Sequence, residues 1–149
     1  VVVLDNIRSA HNVGSAFRTS DSFKIDKICL CGICAVPPSA EIHKSALGAE
    51  DSVAWQHFGN TMDAVNELRN AGYVIVSVEQ TVGSVMLNEF KPEKDRRYAL
   101  IFGNEVEGVG QDIVDASDFA VEIPQFGTKH SLNVSVSTGI VLWHFKFSR

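Results

Sequence analysis

Five short, mostly aliphatic runs, at residues 1–5, 27–31, 73–78, 98–102 and 119–123, alternate with segments of helical periodicity, and this alternation narrows the fold more than any other feature. Strands of this length without a polar face are covered on both sides, which predicts an α/β fold: a mostly parallel sheet with helices on both faces. At 149 residues and 45% hydrophobic content, one compact domain over 1–149 can bury a full core. Ligands of such sheets bind beyond the carboxyl ends of the strands, so chemistry is expected in the loops after Asp5, Val78, Phe102 and Ile123.

Composition limits the partners. No apolar run reaches the ~18 residues of a membrane span and no signal pattern is visible, so a soluble cytoplasmic protein without membrane contact is expected. The chain opens on a strand with no initiator methionine, and a short preceding stretch is expected. The formal charge of −5 means that a nucleic-acid partner would need a local cationic surface. Cys29, Cys31 and Cys34 are odd in number and lack a complementary Cys or His pair, so they read as core thiols and no metal is expected.

The stretch from Ile123 to Gly139 puts a polar, glycine-containing loop between a strand and a helix that opens near Asn133. In that helix Val136, Ile140, Trp143 and Phe147 form one apolar stripe, and Val134, Val141 and Phe145 a second. One stripe can face the sheet; the other needs a second subunit or another segment, unless the helix is simply buried. Ser135 and Gly139 would let a neighbouring backbone come close. Earlier, Asn12 reads as the N-cap of a helix over 13–23, whose Val13, Ala16, Phe17, Ser20 and Phe23 face the sheet. Gly14, Arg18 and Asp21 share another face, where glycine in the first turn suggests close approach to the backbone and an anion site with Arg18; a solvated arginine is the alternative. A short helix over 41–48 carries His43, with no visible acid partner, and Lys44; a helix over 60–71 reads as architectural. Lys91, Lys94, Arg96 and Arg97, interleaved with acids, read as a solvated connection. The loop from Gly103 to Gly110 has Glu105 and Glu107 and no following lysine, which suits hydroxyls or a cationic group better than phosphate.

Taken together, Asn12-x-Gly14-x-x-x-Arg18, Gly103-Asn104-Glu105-x-x-Gly108, and Ile123-Pro124 with Ser131-Leu132-Asn133-Val-Ser135 resemble the three ordered motifs of the SpoU-type (TrmH-like) family of knotted SPOUT methyltransferases. The resemblance spans nearly the whole chain. It implies S-adenosylmethionine-dependent methylation of a ribose 2′-hydroxyl in tRNA or rRNA, a C-terminal deep trefoil knot, and a homodimer paired through terminal helices. It places Val78, Gly103, Asn104, Ile123, Pro124 and Leu132 around the adenosine. Glu105, Ser131 and Asn133 would shape the site near the methyl donor, with Asn12 and Arg18 at the catalytic end. Arg8, His11, Arg18, Lys44 and Lys129 are candidate RNA contacts. Ser137 and Thr138 stand where the family often has small apolar residues, a departure expected to affect packing alone. A cofactor-binding regulatory protein without turnover and a plain α/β interaction module are the competing readings; the latter leaves three ordered motifs unexplained.

Overall fold

The computed structural model describes residues 1–129 and 131–148. Seven strands, β1 (Val2–Asp5), β2 (Ile28–Cys31), β3 (Trp55–Phe58), β4 (Val74–Val78), β5 (Val85–Met86), β6 (Tyr98–Phe102) and β7 (Phe119–Glu122), form a parallel sheet in the order β3-β2-β1-β6-β4-β7-β5. All five aliphatic runs become strands. The additional two gave no aliphatic signal: β3 is an edge strand exposed along most of its length, and β5 has two residues.

The period of two along each strand divides the core. Val2, Leu4, Ile28, Leu30, Val76, Leu100 and Phe102 point to one face, where they meet helices α1 (Ala10–Ser22) and α2 (Ala40–Ala46). Val3, Cys29, Cys31, Ile75, Ala99 and Ile101 point to the other, covered by α3 (Thr61–Asn70) and α4 (Gln111–Ala116). Helix α5 (Val134–Phe147) returns to the first face. A one-residue slip would exchange these two apolar sets, and each fully buried aliphatic side chain contributes about 1.5–3 kcal/mol, so the register is strongly set. The three thiols lie inside this core, and burial pushes Cys29 up to about 11.

Helix ends follow their capping chemistry, with one correction. Asn60 caps α3 by accepting from Asp63 N, and Gly72 (φ +92°) follows its last turn. Helix α1, however, starts at Ala10, three residues before the expected 13. Its N-cap is Ser9, whose hydroxyl accepts from Asn12 N at 3.2 Å. Asn12 therefore stands inside the first turn, with its side chain released for another use.

The two stripes of α5 separate as the periodicity implies. Val141, Leu142 and Phe145 are buried, Phe145 lying 5.3 Å from the Tyr98 ring and 5.5 Å from Phe90. His144 Nε2 donates to Phe90 O at 2.6 Å, leaving Nδ1 to accept from Ser148. Val136, Ile140, Trp143 and Phe147 face outward, Trp143 at 60% exposure and Phe147 at 65%. Trp143 also touches Phe23, beyond the end of α1, ring to ring at 6.4 Å. Within the described chain nothing lies within 4 Å of a Cβ built on Gly139, so no neighbouring backbone uses that small residue.

Candidate active site

The carboxyl ends of β4, β6 and β7 and the opening of α5 enclose a cleft of 430 Å³. Its apolar lining comes mainly from strand ends and the segment entering α5, Val78, Phe102, Ile123, Leu132 and Val134, with Val106 from the loop after β6. Its polar lining is lopsided. Glu79, Glu105, Glu107 and Glu122 all border it, whereas the described lining has no Lys or Arg. The remaining polar edge comes from amides and hydroxyls, among them Asn12, Gln80, Gln125, Asn133, Ser131 and Ser137.

Most of these carboxylates are fixed in place. Glu105 accepts from Arg8 N and Ser9 N, both at 2.9 Å, and from Asn12 Nδ2 at 3.0 Å. It thereby caps α1 from a loop far away in sequence, satisfying donors that the helix itself cannot. Desolvation opposes the charged form of Glu105, but the N–H donors of Arg8, Asn12 and Ser9 outweigh it and hold the carboxyl below the ordinary glutamate range. Glu79 accepts from Val109 N at 2.8 Å and Glu122 from the Ser84 hydroxyl at 2.6 Å. Asn104 closes its own loop: its backbone exchanges two hydrogen bonds with Gly108, its Oδ1 accepts from Val106 N and Glu107 N, and its Nδ2 donates to Asn6 O at 2.7 Å. At the helix mouth Asn133 caps α5, accepting from Ser135 N and Ser135 Oγ.

A folded-state pKa held below its unfolded value stabilises the fold above the unfolded pKa, and that contribution is lost as pH falls through the folded pKa. The cap made by Glu105 should therefore persist at neutral pH and disappear below the usual glutamate pKa of about 4.3. Glu105→Gln keeps one acceptor but turns its NH2 either toward the Arg8 donor or toward the Ser9 and Asn12 donors. Because the site is solvent-accessible, we expect a loss of only about 1 kcal/mol, read by urea unfolding at pH 7 and shrinking as the pH falls below about 4.3.

The profile of the SpoU rRNA Methylase family matches residues 1–143. The chain belongs to this family. RlmB of Nitrosomonas europaea, a 23S rRNA (guanosine-2′-O-)-methyltransferase, is 35% identical over 147 residues, 96% of this chain and 54% of that protein. An AdoMet-bound rRNA methyltransferase from Sinorhizobium meliloti superposes with a TM-score of 0.89 at 30% identity, covering 97% of this chain and 54% of the other. The A. aeolicus TrmH/SpoU tRNA modifying enzyme gives a TM-score of 0.87 at 30% identity, covering 100% and 74%. The chain spans 54% to 63% of the first curated relatives it matches.

The site residues expected from the sequence divide into two groups. Asn12, Val78, Gly103, Asn104, Glu105, Ile123, Ser131, Leu132 and Asn133 all line the cleft. Pro124 is adjacent in sequence but is not part of the lining, and neither are Arg8, Arg18, Lys44 and Lys129. Arg8 borders a neighbouring hollow on the far side of the 103–110 loop. Lys44 sits on the short helix expected for it, α2, its ammonium paired with Glu41 at 3.0 Å and outside the cleft lining. Arg18 is exposed on α1.

The helical glycine has a different use from the anion site expected of it. A Cβ on Gly14 would fall 2.1 Å from Ser45 Oγ and 2.3 Å from Ile42 O, so the close neighbour is α2, latched by the Ser45 hydroxyl donating to His11 O at 2.8 Å. His43 does have an acid partner, Glu50 at 2.8 Å. Ser137 borders the cleft, which corrects the expectation that it affects packing alone; Thr138 is buried and donates to Val134 O. Glu79, Gln80, Glu122 and Gln125 are cleft residues that the sequence did not single out. Their signal was position, immediately after β4 or around the end of β7.

Proposed function

We propose that the chain is one SpoU-type methyltransferase domain that binds S-adenosylmethionine in this cleft and methylates a ribose 2′-hydroxyl of tRNA or rRNA. The observation that carries the reading is the charge of the cleft: four glutamates and no cation in its described lining. Such a site disfavours a phosphate and favours a ligand with an apolar ring and a net positive charge. S-adenosylmethionine fits this, with an adenine for Val78, Ile123 and Leu132 and two cationic centres for the carboxylates. When bound, it supplies a methyl carbon made electrophilic by the sulfonium charge. The Sinorhizobium relative is AdoMet-bound, and the name of RlmB specifies guanosine 2′-O-methylation of 23S rRNA.

In this reading the backbone around Gly103, Ile123 and Leu132 orients the adenosine and excludes water from it. Glu105, engaged by three N–H donors, positions Asn12 and the start of α1 beside the reacting end. Arg18, as a permanent cation, stabilises the oxyanion that develops as the ribose hydroxyl loses its proton, and grips the adjacent phosphate. Arg18 is six positions beyond Asn12, about 9 Å further along the helix and on a different side of it, so we assign its action to the cleft of a second copy. The outward apolar stripe of α5 supports such a homodimer, since contiguous exposed apolar surface of this kind marks an interface. A knotted C-terminal path belongs to the same reading, supported by β6 inserting between β1 and β4 before β7 pairs on the other edge of β4. The setting we propose is the cytoplasm; among the described residues no helix is long and apolar enough to cross a membrane.

The test is transfer of labelled methyl from S-adenosylmethionine to total tRNA and, separately, to rRNA, alongside calorimetric cofactor binding. Incorporation into either RNA supports the proposal. Cofactor binding without transfer to either would instead favour a cofactor-binding, RNA-associated regulatory protein.

A further inference from the structure

The pole of the sheet opposite the cleft has a concavity of its own, of 250 Å³. Because the strand pairings are parallel, the amino ends of β1, β2, β4 and β6 converge there. Lys24 enters from the turn after α1, Lys94, Arg96 and Arg97 from the loop before β6, and Lys146 from the last turn of α5. Two carboxylates, Asp26 and Asp95, share the lining with these five cations. The chain as a whole has 13 Lys and Arg against 18 Asp and Glu, so the sign of the charge is reversed at this pole. The basic run from 91 to 97 taken alone reads as a solvated connection. Lys24 and Lys146, distant in sequence, make it one wall of a groove.

Little within the fold neutralises this cluster. Arg96 pairs with exposed Glu93 at 3.9 Å, a weak interaction in water. Arg97 lies over the Tyr73 ring at 4.5 Å and donates to Ala71 O, which fixes one cation on the groove wall without cancelling its charge. All five cations are solvent-exposed. Converging like charges repel, and an acidic chain gains nothing in solubility from concentrating them; a polyanion converts that repulsion into attraction and releases counterions on binding.

We infer that this groove is a second contact for the phosphate backbone of the substrate RNA, separate from the cofactor cleft. The inference rests on the RNA reading proposed above. Strands of four to five residues hold the two ends of the sheet apart by roughly 15 Å, so an RNA engaging both must be longer than a few nucleotides.

The experiment compares the full chain with its Lys94→Glu/Arg96→Glu/Lys146→Glu variant, leaving Arg97 on its tyrosine. Affinity for tRNA and rRNA fragments is measured against salt, with S-adenosylmethionine binding followed by calorimetry. The expected result is RNA affinity at least tenfold weaker at low salt, a salt slope smaller by about two, and unchanged cofactor affinity. The milder Lys94→Gln/Lys146→Gln variant should lose part of the slope while its circular dichroism matches the parent. Undiminished affinity and slope in the triple variant, with the parent transferring methyl to RNA, would overturn this groove alone. A parent chain that neither binds nor methylates RNA would overturn the RNA reading and the groove together.

Discussion

Replacing Gly103 with valine is expected to cost about 3 kcal/mol or more of stability and to abolish cofactor binding. A Cβ at this position would stand 2.2 Å from both Gly108 C and Val109 N, and 2.6 Å from Gly108 O. All three are backbone atoms, so no side chain can turn aside to make room. The displaced segment carries the paired hydrogen bonds between Asn104 and Gly108 and the Val109 N–H that Glu79 accepts. Moving it uncouples the ends of β4 and β6, the two strands that build much of the cleft. The measurement is denaturant unfolding together with calorimetric titration of S-adenosylmethionine. Gly103→Ala should reproduce the loss in milder form. Gly59→Ala is the control, since nothing lies within 4 Å of a Cβ there, and it should bind like the parent.

Replacing Arg18 with alanine is expected to lower methyl transfer by about a hundredfold or more while leaving cofactor affinity unchanged, because in the proposed mechanism the guanidinium acts on charge that develops only in the reaction. Since Arg18 is outside the lining of its own cleft, activity should return when the variant is mixed with a chain whose cleft is disabled, such as Gly103→Ala. In each mixed dimer one intact cleft faces one intact Arg18, so equal mixing should restore about a quarter of the parental rate. Action within one chain would give no restoration at all. The same account makes Trp143→Glu a monomer by gel filtration, because it buries a charge in the apolar stripe, and that monomer should retain its cofactor cleft but transfer no methyl.

Several of the expected residues that line the cleft lie where a strand ends. Val78, Gly103 and Ile123 were legible because an aliphatic run stops there, and parallel strands bring their carboxyl ends to one place. Helix phase was less legible. Ser9 and Asn12 are both good N-caps, and choosing between them depends on Glu105, which takes the Asn12 side chain across 93 positions of sequence. With that contact unseen, α1 starts three residues late, and the close approach at Gly14 is read as that of an anion. Gly14 announced a close approach correctly; that the neighbour was α2 depended on tertiary packing. Glu79 and Glu122 escaped notice because a lone carboxylate after a strand is unremarkable until a second and a third converge on it. The basic groove was hidden for the same reason, being assembled from three separate segments.

The central claim is that the methyl group goes to a ribose hydroxyl, and the chemistry of the product tests it most directly. RNA labelled by the protein from methyl-labelled S-adenosylmethionine is hydrolysed in alkali, which cleaves each phosphodiester by attack of the neighbouring 2′-hydroxyl. A 2′-O-methyl group removes that nucleophile, so the account predicts label in alkali-resistant dinucleotides. Label recovered wholly in mononucleotides would place the methyl on a base and contradict it.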